Sequence, residues 1–223
     1  MDINTLAIYI HELRNQVTFT QGAFQLFNQS LEQRASTGLF LAGQGILTSS
    51  SQVAGLLWPT RARSRSRGEQ LRQVLKLSEK HTLNDRRLSE LWEHSDQKTE
   101  EWIAHTKGRK IVFDFIGPPE QLGQGELEID CIYRVYDPGA KIFYFRGIGY
   151  NMQAIANAVA DVGSRVMAAH RQLFPDQETT QPPTAVETAS VPQGPAEPVD
   201  TPPPDEAVPE AGVDTKTDHK AAE

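Results

Sequence analysis

Arg87 and His94, seven residues apart, are the pair in this chain whose types and spacing could do chemistry. Residues 84–105 read as one long charged helix, with Leu88, Leu91, Trp92, Trp102 and Ile103 as its apolar stripe. At about 100° per residue, seven steps return to nearly the same face, with the two side chains about 10 Å apart along the axis. A guanidinium so placed can stabilise a pentacovalent phosphate while an imidazole moves a proton near neutral pH. That is what metal-free RNA cleavage requires. The plainer alternative is a solvated helix edge, because Glu90 and Lys98 adjoin the pair.

A second candidate is the run Arg61-Ala62-Arg63-Ser64-Arg65-Ser66-Arg67. Its alternating arginines would attract RNA or another anionic surface without sequence preference. No aromatic residue is interleaved for base stacking, so a solvated interhelical loop is the competing reading. Metal chemistry finds no support. His94 and His105 would sit about 16 Å apart on one helix, too far to share an ion. His11, His81 and His170 have no neighbour at ligand spacing. No phosphate-binding glycine loop, nucleophile elbow or zinc-protease motif occurs, so neither a metal nor a cofactor is expected. Cys131, the single cysteine, falls in a predicted strand and reads as a small buried hydrophobe.

The elements that must position these residues are mostly helical. Leu6, Ile10, Leu13, Val17, Thr20, Phe24, Phe27 and Leu31 step by four and three, which predicts a long first helix with a heptad seam. Ser36 or Thr37 can cap a second helix over 39–57, ended by Pro59. Its small residues, Gly43 and Gly45 among them, would admit a close neighbour. A polar linker covers 59–67, a short third helix 68–80, and a fourth begins near Thr82 and closes at Gly108. Residues 126–136 and 141–146 are rich in β-branched and aromatic types and flank Asp137-Pro138-Gly139-Ala140, a β-hairpin signature in which Gly139 would take the positive φ. Asn151 caps a last helix through Met152, Ile155, Val159, Val162, Val166, Ala169 and Leu173. The expected fold is therefore mainly α: a bundle of about five helices over residues 1–174, with a small β-hairpin near 126–146 inserted before the last helix.

Beyond that domain the composition changes. Residues 175–223 hold ten of the fourteen prolines, no Trp, Tyr or Phe, and eleven acidic residues against Lys216 and Lys220. That net of −9 within a whole-chain −7 leaves +2 on residues 1–174. Such a tail buries too little apolar surface to offset its ordering entropy and is expected to be disordered. Residues 35–60 carry no charge, but Gln44, Thr48, Gln52 and the serines at 49–51 argue against a membrane span and for a buried helix. With one cysteine and no secretory leader pattern at the start, a cytoplasmic location is expected.

An arginine and a histidine with six residues between them on one helix of an all-helical domain resemble the HEPN superfamily, which includes metal-independent ribonuclease toxins and non-catalytic relatives. In that pattern the arginine is usually followed by a polar residue; here Leu88 stands in that place. Leu57-Trp58-Pro59, Arg67-Gly68-Glu69-Gln70-Leu71-Arg72, Glu93-His94-Ser95-Asp96, Trp102 and Ile116-Gly117-Pro118-Pro119 also resemble uncharacterised bacterial helical proteins, over roughly residues 50–160. The resemblance implies a helical fold first and an activity second. The expectation is a binding or interaction protein with a protein partner, RNA and a homodimer being open. The alternative is an endoribonuclease using Arg87 and His94, with a dimer assembling two such pairs.

Overall fold

The heptad seam of the first helix appears as read in the computed structural model, which describes residues 1–122 and 128–175. Helix α1, Ile3–Glu32, is capped by Asp2, whose carboxylate accepts from the Thr5 amide at 2.9 Å. Ile10, Leu13, Val17, Thr20 and Phe27 are buried along it. Thr20, the polar member of the seam, spends its hydroxyl on the Gln16 carbonyl at 2.8 Å, so it enters the core without an unpaired donor. Arg34 turns the chain in a left-handed conformation, φ 56°, and α2, Ser36–Leu57, folds back along α1. Its first residue follows Ala35, and no side chain caps it, in place of the expected Ser36 or Thr37 cap.

Three further helices follow. A 3-10 turn at Ala62–Ser64 leads into α3, Arg65–Leu75, which starts and stops earlier than the expected 68–80 because Lys76 closes it in the left-handed region. The expected helix over 84–105 is two: α4, Arg86–Ser89, and α5, Ser95–Thr106. Asp85 rather than Thr82 caps α4. Gly108 takes the expected positive φ, 80°, just past the end of α5. The last helix, α6, Met152–Leu173, begins at Asn151, whose side chain accepts from the Ala154 amide at 2.8 Å. Gly163 lets it approach α1 closely, since a Cβ there would lie 2.9 Å from Val17 Cγ1.

The expected hairpin is the centre of a larger sheet. Strands β1, Phe115–Ile116, β2, Arg134–Asp137, β3, Ile142–Phe145, and β4, Ile148–Asn151, lie in that order, β1 parallel to β2 and the rest antiparallel. The long first strand expected over 126–136 is shortened to β2. Residues 129–131 form a 3-10 turn instead, and Cys131 is buried there rather than in a strand. Asp137 closes the β2–β3 turn by accepting from the Gly139 and Ala140 amides; the positive φ falls on Lys141, not Gly139. Between β3 and β4 only Arg146 and Gly147 intervene, both with positive φ (48° and 76°), the backbone of a tight hairpin.

Phe143, fully buried in β3 opposite Tyr136 and Tyr150, joins sheet to helices by packing against Gly43 of α2. The small residues of α2 thus admit an aromatic ring as well as a helix. One core unites the seam of α1, the inner face of α2, Leu88 and Leu91, the sheet aromatics and the inner face of α6. Among the described residues there are six helices and four strands, a mainly α fold with its sheet before the last helix. No described helix is long and apolar enough to cross a membrane. The acidic tail lies, after Pro175, outside the described residues, as do residues 126 and 127 at the start of the expected hairpin segment.

Candidate functional site

The split of the expected charged helix decides the fate of Arg87 and His94. After Ser89 the chain turns through Glu90–Glu93, and His94 adopts φ 51°, the left-handed region, before α5 starts. The two residues therefore do not share a helix face. Arg87 lies on α4, and its guanidinium grips Asp85 with Nη2 2.7 Å from Oδ2 and Nε 3.1 Å from Oδ1. That grip holds the Asp85 carboxyl below the usual carboxylate range and raises Arg87 in turn. His94 is exposed, and its ring makes no hydrogen bond among the described residues.

A residue far along the chain stabilises this break. Arg146, 9 % exposed in the β3–β4 turn, donates to the Leu91 carbonyl at 3.2 Å, the Ser95 carbonyl at 3.0 Å and the Thr99 hydroxyl at 3.0 Å. Lys98 adds a bond to the Glu90 carbonyl. Two carbonyls in the broken segment are thus satisfied by cations, Leu91's by Arg146 and Glu90's by Lys98. Sequence reasoning missed Arg146; the local sign of the turn was its neighbour Gly147.

Arg87 does open onto a cavity of about 490 Å3, walled by Leu91, Trp102, Phe145 and Tyr150. The histidine that lines it is His105, not His94. His105 Nε2 lies 2.6 Å from Asp130 Oδ2, a contact that, with Arg109, holds Asp130 below the usual carboxylate range. Burial pushes the Tyr150 phenol up to about 12, and its hydroxyl donates to the Arg87 carbonyl at 3.3 Å. Arginine, tyrosine and a histidine–carboxylate contact therefore border one apolar cleft.

The arginine run is likewise divided. Arg61 and Arg67 line a cavity of about 390 Å3, Arg65 lines a neighbouring one of about 530 Å3, and Arg63 is exposed and lines neither. Arg61 lies 3.8 Å from Glu93, a loose and solvated pair. Arg67 is half-buried, donates to the Gly55 carbonyl at 3.0 Å and sits over the Tyr9 ring. The expected polar linker is thus partly helix, with Arg65 and Arg67 in the first turn of α3.

No group of three or more metal-ligating side chains gathers among the described residues. Cys131 is buried, and burial pushes its thiol up, away from nucleophilic use. A row of exposed apolar side chains lies on α1. Ile8, Phe19 and Leu26 of α1 are exposed at 69 %, 57 % and 41 %. Steps of eleven and seven residues place all three within about 20° of one another around the helix. No known family, curated protein or solved structure matches this chain.

Proposed function

We propose that this chain is a helical interaction protein that docks a protein partner on the outer side of α1. The observation that carries this reading is the exposed row Ile8, Phe19 and Leu26, most of it in a segment, residues 15–31, with no charged side chain. Large apolar side chains aligned on one helix face and left in water mark a surface suited to a protein contact. Gly22 lies on the same face with open space where a Cβ would project, so a partner helix can come close. A second copy of the chain is one such partner, since the stretch around Phe19 and Leu26 carries no charge and meets itself without repulsion. The reading assigns the protein to a reducing cytoplasm and treats its HEPN resemblance as that of a non-catalytic relative.

The test compares the full chain with Phe19→Asp by light scattering and by affinity capture. Loss of a dimer or of a captured partner in the variant, at an unchanged unfolding midpoint, is the expected result. A monomer whose captured proteins are identical with and without Phe19 would sink the reading.

Ribonuclease activity stays as a second reading, because Arg87 shares its cavity with His105, whose ring contacts Asp130. Against it, Arg87 is already engaged by Asp85, and His94 is off the face it was expected to share. Incubation with mixed RNA under chelator is expected to show no cleavage. Cleavage lost in both Arg87→Ala and His105→Ala would establish the enzyme with a different histidine from the expected one; loss in His94→Ala would restore the original pair.

A further inference from the structure

We propose that the cavity of about 390 Å3 between the end of α2, the start of α3 and Trp92 binds a small phosphate monoester, such as a phosphorylated sugar. The site is separate from the α1 face, so either proposal can fail alone. Two guanidinium groups line the cavity, Arg61 and Arg67, against one carboxylate, Glu93. Arg67 is the informative one. It is half withdrawn from water, yet it has no carboxylate within ion-pair range among the described residues. Its Nε–H is buried without an acceptor, and so is the indole N–H of Trp92 on the same cavity.

Buried donors are nearly always satisfied, and a withdrawn cation without a counter-charge is costly. An oxyanion in the cavity would supply the counter-charge that Arg67 lacks. Thr60, Ser51 and Ser64 bring hydroxyls to the same walls, donors suited to the remaining oxygens. The volume falls within the range of small-ligand sites, about 300–1,000 Å3, so a sugar-sized body fits beside the phosphate. A nucleic acid fits the charge less well. The four arginines of the run point into two cavities and to open solvent, and so make no single track for a phosphodiester backbone.

The experiment is isothermal titration of the full chain at low salt with inorganic phosphate and with ribose 5-phosphate. Saturable one-to-one binding is expected, tighter for the sugar phosphate. Arg61→Gln should weaken it roughly tenfold, the scale of one charge-assisted hydrogen bond. Arg63→Gln should leave it unchanged. Arg67→Gln should abolish it; because Arg67 also braces Gly55 and Tyr9, that variant is read beside its melting curve, and the exposed Arg61 carries the test if Arg67→Gln unfolds. No saturable heat from either probe up to about 10 mM, the weak limit for a specific small-anion site, overturns the proposal. So does equal weakening by Arg61→Gln and Arg63→Gln, which would mean diffuse attraction only. Competition by a short single-stranded RNA that depends on Arg63 overturns it in favour of a nucleic-acid surface.

Discussion

Replacing Gly43 with alanine puts the helix–sheet junction to a quantitative test. A Cβ at this position would lie 2.9 Å from both Cδ2 and Cζ of Phe143 and closer still to Cε2. Carbon atoms rest about 3.5–4.0 Å apart, so the ring would have to retreat by about 1 Å. It has nowhere to go: Phe143 is fully buried, with Phe40 at 6.0 Å and Phe27 at 6.5 Å between ring centroids. Overpacking of this kind costs about 1–3 kcal/mol. Against that, alanine favours a helix interior over glycine by about 1 kcal/mol. The overpacking should win, for a net loss of up to about 2 kcal/mol, and in a domain of this size each kcal/mol moves the midpoint by about 2–4 °C. The assay is thermal and urea unfolding of Gly43→Ala beside Gly22→Ala, where nothing lies within 4 Å of the added methyl. Gly22→Ala should be stabilising, and Phe143→Leu should recover part of the loss in the Gly43→Ala background. If Gly43→Ala is as stabilising as Gly22→Ala, the ring does not pack on α2 and the placement of the sheet is wrong.

Two further outcomes follow from the same physical reasoning. Arg146→Ala should cost about 2–3 kcal/mol, the scale of hydrogen bonds to a charged group left unmade, and amide exchange should quicken around residues 90–95 before it does elsewhere. Uniform exchange in that variant would mean that the break between α4 and α5 does not depend on the guanidinium. His170, buried beside His11 and Phe174, is held below the ordinary histidine value of 6.5, first by burial and then by the Arg14 and His11 charges. A depressed folded value means that the unfolded chain binds the proton more readily. Stability is therefore intact above pH 6.5 and is lost as pH falls from there through the folded value. His170→Gln should flatten that loss in urea titrations between about pH 6.5 and 5; an unchanged slope would assign it to other groups.

The long periodic helices were legible because their burial is one-sided and local. The seam of α1 and the stripe of α6 fall on the residues read from spacing, and Asn151 caps where it was placed. The sheet was half legible. The Asp137 turn announces itself through proline and glycine, but β1 is two residues long and joins in parallel through a register that no local pattern encodes. The β3–β4 turn places a positive φ on Arg146, a residue type that gives no hint of it.

The single helix expected over 84–105 is broken for a physical reason. A continuous helix over 84–105 needs apolar residues near positions 95, 96 and 99 to keep one face buried. The chain supplies Ser95, Asp96 and Thr99 there. Leu88 and Leu91 enter the main core, whereas Trp102 packs separately on Tyr133 and donates to the Asp130 carbonyl at 2.7 Å. Two buried segments facing different neighbours cannot lie on one straight stripe, so the backbone must turn between them, and His94 takes the strained position. What makes the turn tolerable is Arg146, more than fifty residues on, which donates to the freed Leu91 carbonyl and to Ser95 at the start of α5. Spacing along a chain can nominate a histidine for an arginine only while the helix between them is unbroken. Here the three-dimensional partner of the Arg87 cleft is His105, eighteen positions away and on the next helix.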